Sequence, residues 1–315
     1  MSDTILVTNN LTKKYGDKLA VDSASISIRK GAIFGLIGMN GAGKTTIMKM
    51  ISGMVKPTSG DYDYTGFDCK KEDAFSRIGA LIEAPAIYPN MSAYDNMKMK
   101  CLAYGINSKE YIEEKLKLVG LGYTGKKKAG KFSLGMKQRL GIALALVGDP
   151  DFLLLDEPIN GLDPQGIVEV REMLLKLSQE KGVTILISSH ILEELSKIAT
   201  DYAIIGNGRI IEQISQQELL SKCKDKIVIK SDSTSAIIPV LDRIGVTDYE
   251  LVDSKTIYVY NKNEEVNRIN KEIAMADILV DSIGVATSDI EEYFLETTSK
   301  GAGTANNEPK EEASK

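Results

Sequence analysis

Eight consecutive residues, Gly38-Met39-Asn40-Gly41-Ala42-Gly43-Lys44-Thr45, constrain this chain more than any other segment. They follow an apolar run, Ile33–Ile37, and precede a segment of helical character, Thr45–Ser52. The pattern GxxxxGK[ST] between a strand and a helix is that of a loop that wraps phosphate groups. Its glycines let the backbone curl tightly and turn successive N–H groups toward phosphate oxygens. The helix that follows adds its positive N-terminal end. In such a loop Lys44 reaches the β- and γ-phosphates of a nucleotide, Thr45 can ligate Mg2+, and Thr46 is placed to donate to a phosphate oxygen.

A second element completes the site. Phe152-Leu153-Leu154-Leu155 is a wholly apolar run ending in Asp156-Glu157. A run of that kind fits a strand buried on both faces of a parallel sheet, with Asp156 emerging at its carboxyl end, where α/β sheets bind ligands. Asp156 would hold Mg2+ through water, and Glu157, pointing differently, can polarise an attacking water as general base.

The rest of the first 220 or so residues alternates strand-like and helical patterns, which argues for an α/β domain. Strands are expected at Ile5–Val7, Ala24–Ile28, Thr184–Ile187 and Ala203–Ile205. Residues 92–120 are amphipathic at helical spacing, with Ser92 and Ser108 as N-caps, and form part of an inserted helical subdomain over about residues 84–150. From Lys226 the order becomes strand, helix, strand, strand, helix, strand, that of a split βαβ or ferredoxin-like unit. The expected division is residues 1–222, a small α+β domain over 226–300 closing on a helix at Asp289–Thr297, and a polar tail at 301–315 expected to be disordered.

Composition then excludes several classes. Hydrophobic residues are 43% and charged residues 26%, which is globular and not fibrous or mainly disordered. A net charge of −5 gives no overall electrostatic footprint for nucleic acid. Cys69, Cys101 and Cys223 are widely spaced and form no CxxC pair, so they read as reduced, packed thiols of a cytosolic protein. The N-terminus has no signal-peptide pattern, and the densest apolar run, Leu140–Gly148, is about half the ~18–20 residues a membrane span requires.

Between the two nucleotide elements lies Phe132-Ser133-Leu134-Gly135-Met136-Lys137-Gln138-Arg139-Leu140. This resembles the signature motif of ABC ATPases, commonly LSGGQ followed by a basic residue and Gln-Arg. With the phosphate loop, the strand ending in Asp156-Glu157, Asn160-Gly161-Leu162-Asp163 and the chain's only histidine, His190, the order of motifs over residues 3–222 is similar to that of an ABC transporter ATP-binding subunit. The resemblance implies a P-loop NTPase core with the helical insertion and small α+β domain above, ATP and Mg2+ as ligands, and hydrolysis of ATP. It places Tyr15 against adenine, Ser133 and Gly135 on the γ-phosphate held by a second copy, Asp163 at the dimer seam, and His190 on the γ-phosphate. Leu134 and Met136 depart from the motif, and Asn160 and Gly161 replace the usual small pair. Glu83 stands in the loop that usually carries a glutamine contacting Mg2+. That exchange, with SLGMKQRL, resembles the bacitracin- and lantibiotic-type antimicrobial peptide transporters.

The resemblance implies a homodimer closed by ATP that drives a separate membrane permease, with the chain peripheral on the inner face of the cell membrane. The cargo would be an antimicrobial peptide or other hydrophobic compound, exported for self-protection or resistance. A soluble ABC-type ATPase acting on ribosomes or DNA usually carries two cassettes or long coiled-coil insertions, and neither pattern occurs here. A non-enzymatic nucleotide switch is disfavoured by Glu157 and His190, whereas an importer ATPase stays open.

Overall fold

The computed structural model describes residues 3–67, 69, 71–222, 226–260, 262–286, 290, 293–295, 297 and 298. Cys223 and the tail at 301–315 lie outside the described residues, as does part of the helix expected over 289–297. The chain divides into two compact units, Met1–Gln216 and Gln217–Glu296, so the helix Gln216–Lys222 falls largely with the second.

The first unit contains two sheets. β1 (Thr4–Tyr15), β2 (Lys18–Ala24), β3 (Ser27–Arg29) and β5 (Ser59–Asp63) form a small antiparallel sheet, in which β1 pairs with each of the others. β4 (Ile33–Ile37), β6 (Ile78–Leu81), β7 (Phe152–Asp156), β8 (Thr184–Ser189), β9 (Asp201–Gly206) and β10 (Arg209–Ser215) form the second sheet, in the order β10-β9-β4-β8-β7-β6. All its neighbours are parallel except the β9–β10 hairpin. Every residue of β4, β7 and β8 is buried, which is why their sequences are continuous runs and not alternations.

The strand expected over Ala24–Ile28 is two strands. The Thr8 hydroxyl donates to Ala24 O and accepts the Ile26 N–H, and between these bonds the chain leaves one half of β1 for the other. β1 itself extends well past the expected Ile5–Val7, through a second half that is mostly polar, with Leu11 its one buried residue.

The helix Lys44–Ile51 buries Ile47, Met48, Met50 and Ile51 in a core shared with Phe34 and Leu36 of β4, Phe152 and Leu154 of β7, and Leu6, Leu11 and Ile28 of the small sheet. Burying each of these side chains fully contributes about 1.5–3 kcal/mol, so the helix that follows the loop is held from both sheets. Tyr64, whose hydroxyl donates to Ile51 O, secures its far end, and burial pushes the Tyr64 phenol up.

Three helices, Ala93–Ala103, Lys109–Leu118 and Leu134–Ala145, pack on one another and interrupt the strands between β6 and β7. Ser92 accepts the Asp95 N–H while the Asp95 carboxylate accepts the Ser92 N–H, a reciprocal cap. The Ser92 hydroxyl, donating to Asp95 Oδ2, and after it the Ser92 N–H hold the Asp95 carboxyl below the usual carboxylate range. Ser108 and Ser133 cap the other two helices, accepting the N–H groups of Tyr111 and Met136.

In the second unit β11 (Lys226–Lys230), β12 (Tyr249–Asp253), β13 (Thr256–Tyr260) and β14 (Ser282–Ala286) form an antiparallel sheet in the order β12-β13-β11-β14. Ile227, Ile229, Ile257 and Val259 of this sheet meet Ile237 and Leu241 of helix Thr234–Arg243 and Ile269 and Ile273 of helix Val266–Met275. Two βαβ halves with this strand order make a ferredoxin-like sheet carrying its own core.

Candidate active site

The loop from Gly38 to Gly43 joins the end of β4 to helix Lys44–Ile51. Two of its glycines are fixed by close approach: a Cβ on Gly38 would come 2.6 Å from Ile205 O, and one on Gly43 2.7 Å from Ala20 O. Gly43 also holds φ at 112°, which an L side chain rarely adopts. Lys44 folds back into its own loop. Its ammonium donates to Gly38 O at 2.6 Å and to Met39 O at 3.4 Å, and it is buried.

Asp156 and Glu157 close the other side. Asp156 is buried, and its Oδ2 accepts the Thr45 hydroxyl at 2.8 Å while its Oδ1 accepts the Ser188 hydroxyl at 2.6 Å. Glu157 turns sharply away, with φ at 48°, so adjacent carboxylates face different ways. Its Oε2 accepts His190 Nδ1–H at 2.7 Å, and its Oε1 stands 3.1 Å from Lys44 Nζ. Oε1 is buried, and its partner is the Lys44 ammonium, so this carboxylate oxygen faces the phosphate loop. A carboxylate placed there can take a proton from an attacking water once Lys44 turns to phosphate oxygens.

The open side of the site is a cleft of about 530 Å3 lined by residues that include Tyr15, Leu19, the loop from Asn40 to Thr46, Glu157 and Gly208. Tyr15 is exposed, with Lys13 Nζ over its ring 5.1 Å from the centroid, and an aromatic face at the cleft can stack on a planar partner. The structure therefore brings together Tyr15, the phosphate loop, Asp156, Glu157 and His190. It does not bring Ser133 or Gly135 into that cleft; Ser133 is exposed at the N-terminus of its helix. Beside it, Leu134 lies where a Cβ on Gly161 would approach its Cδ2 to 2.9 Å, so two departures from the family motif make room for each other. Asp163 is exposed and caps helix Pro164–Lys181 by accepting the Gly166 N–H at 3.2 Å.

Glu83 sits differently from its expected place among the Mg2+ donors. Its N–H reaches Asp156 Oδ2 only at 3.4 Å, and its carboxylate pairs with Lys49 Nζ at 2.5 Å. Sequence reasoning also missed Ser188. Its signal was present, a polar residue following the apolar run Ile185–Ile187 in a strand buried throughout.

The ABC transporter family profile matches residues 21–160. The bacitracin transport ATP-binding protein BcrA of Bacillus licheniformis is 40% identical over 96% of this chain and 99% of its own length. The lantibiotic transport ATP-binding protein SrtF of Streptococcus pyogenes is 46% identical over 66% of this chain and 89% of its own length. Among solved structures, the ADP conformation of an ATP-binding cassette of an ABC transporter superposes with a TM-score of 0.61 at 28% identity, over 69% of this chain and 93% of that one. The chain belongs to the ATP-binding subunits of ABC transporters. It is an ATPase whose hydrolysis is coupled to transport.

Proposed function

We propose that this chain powers the export of an antimicrobial peptide, or a comparable hydrophobic compound, through a membrane subunit encoded as a separate chain. The bacitracin and lantibiotic transport proteins it matches support that cargo class. No helix among the described residues is long and apolar enough to cross a membrane; in this reading a separate polypeptide supplies the membrane path, as the transport ATP-binding relatives support. That subunit would hold the ATPase at the inner face of the cell membrane.

The observation that carries the catalytic reading is the Glu157 carboxylate, held by His190 on one oxygen and paired with Lys44 of the phosphate loop on the other. Glu157 Oε1 takes a proton as the water oxygen bonds to the γ-phosphorus, and the bond from phosphorus to the β–γ bridging oxygen breaks to leave ADP. His190 orients Glu157 throughout, and Lys44 exchanges its loop carbonyls and Glu157 for phosphate oxygens. Thr45 Oγ1 and the Asp156 carboxylate are adjacent hard oxygen donors, which fits Mg2+ with waters and phosphate oxygens completing its shell. When bound, Mg2+ supplies neutralisation of charge on the β- and γ-phosphate oxygens.

Two copies complete the site. Ser133 and Gly135 lie outside the chain's own cleft, so a head-to-tail partner would supply them, and ATP would close the pair as a ligand-driven population shift. The test is a sensitive host expressing the membrane partner with either the wild type or Glu157→Gln. Resistance to the peptide is expected with the former alone. Equal sensitivity of both strains, with wild-type ATPase activity intact, would remove the export reading.

A further inference from the structure

Ser188 is fully buried on β8, one strand over from β7, and its hydroxyl is used in both directions. It donates to Asp156 Oδ1 at 2.6 Å and accepts the Glu157 N–H at 2.9 Å. The same N–H also reaches Ser188 O at 3.2 Å. Asp156 and Glu157 are neighbours with opposed tasks, and Glu157 holds a left-handed backbone that a non-glycine residue adopts only when its surroundings impose it. A strand pairing alone would fix neither the Asp156 rotamer nor that turn.

From this geometry we infer that Ser188 is a positioning residue for hydrolysis. One hydroxyl sets the Asp156 carboxylate so that Oδ2 faces Thr45, and sets the turn that carries Glu157 toward Lys44 and His190. The two settings are linked, because the hydroxyl proton committed to Asp156 leaves the oxygen lone pairs for the Glu157 N–H. The inference rests on the assignment of Glu157 as base and Asp156 as metal-side carboxylate.

Removing the hydroxyl with Ser188→Ala leaves the strand and its backbone bonds in place. Outer partners of metal-facing carboxylates typically matter by about 10- to 100-fold in metal affinity or activity. Ser188→Ala is therefore expected to lower kcat by about 10- to 100-fold with little change in KM for ATP. It should also raise the Mg2+ concentration at which ATP binding saturates, read by equilibrium binding on a Glu157→Gln background where turnover is suppressed. Ser188→Thr, which keeps the hydroxyl, should recover both quantities toward the wild type. Ser188→Ala with wild-type kcat and unchanged Mg2+ dependence would overturn the inference. So would a fall in kcat that only tracks a lower melting temperature, with the Mg2+ dependence unmoved. Glu157→Gln that still turns over ATP would instead remove the base assignment itself, whatever Ser188 does.

Discussion

Lys44 Nζ stands 3.1 Å from Glu157 Oε1, joining the cation of the phosphate loop to the carboxylate at the end of β7. The pair spans the floor of the cleft, so a γ-phosphate entering there competes with Glu157 for the lysine. Phosphate also offers Lys44 more acceptor oxygens than the Gly38 and Met39 carbonyls do. Lys44→Ala is expected to weaken ATP binding by about 10- to 100-fold, the range set by one charge-assisted hydrogen bond of about 1.5–3 kcal/mol. Isothermal titration of the purified chain with ATP measures this. An unchanged dissociation constant would show that the loop does not hold phosphates through Lys44.

Glu157→Gln separates binding from chemistry. Glutamine keeps the shape and can still bond His190, but it cannot take a proton from water. Steady-state hydrolysis should fall by about 100- to 10,000-fold, the range for general-base catalysis. ATP should still bind, and a dimer should accumulate on size exclusion in its presence. Turnover near the wild-type rate in this variant would leave the carboxylate with no role as base.

Legibility in the sequence followed burial. β4, β7 and β8 are buried on both faces, and such strands read as unbroken apolar runs ending at the residues that do chemistry. The caps at Ser92, Ser108 and Ser133 were equally readable, since each hydroxyl bonds within its own first turn. What escaped depends on distant partners. The split between β2 and β3 is enforced by Thr8, and the opposed carboxylates by Ser188, each joined only through the tertiary fold. The Lys49–Glu83 pair likewise spans 34 positions of sequence.

The second unit holds its own apolar core, and every residue assigned to ATP precedes it. A chain ending after Lys222 should therefore stay folded and bind ATP within about twofold of the full chain, a change of about 0.4 kcal/mol. Circular dichroism with nucleotide titration tests this. A folded truncation that had lost ATP binding would mean the C-terminal unit takes part in the nucleotide site.

Glu83 is the last residue whose role the structure sharpens. It holds φ at 64° in the loop after β6, with its carboxylate on Lys49 and its side chain 64% exposed. An ion pair so exposed is worth about 0–1 kcal/mol, so Glu83→Gln should leave the melting temperature nearly unchanged. ATP binding and most hydrolysis should also persist, because Thr45 and Asp156 stay in place. Coupling is where the loss should fall: peptide resistance in cells carrying the membrane partner drops while the ATPase rate holds. Lys49→Ala distinguishes two origins of that loss. If the ion pair sets the loop, Lys49→Ala reproduces the Glu83→Gln phenotype; if the Glu83 charge acts on Mg2+ or on the membrane subunit, Lys49→Ala retains resistance. Unchanged resistance in Glu83→Gln and Glu83→Ala alike would reduce Glu83 to a solvent-facing loop residue.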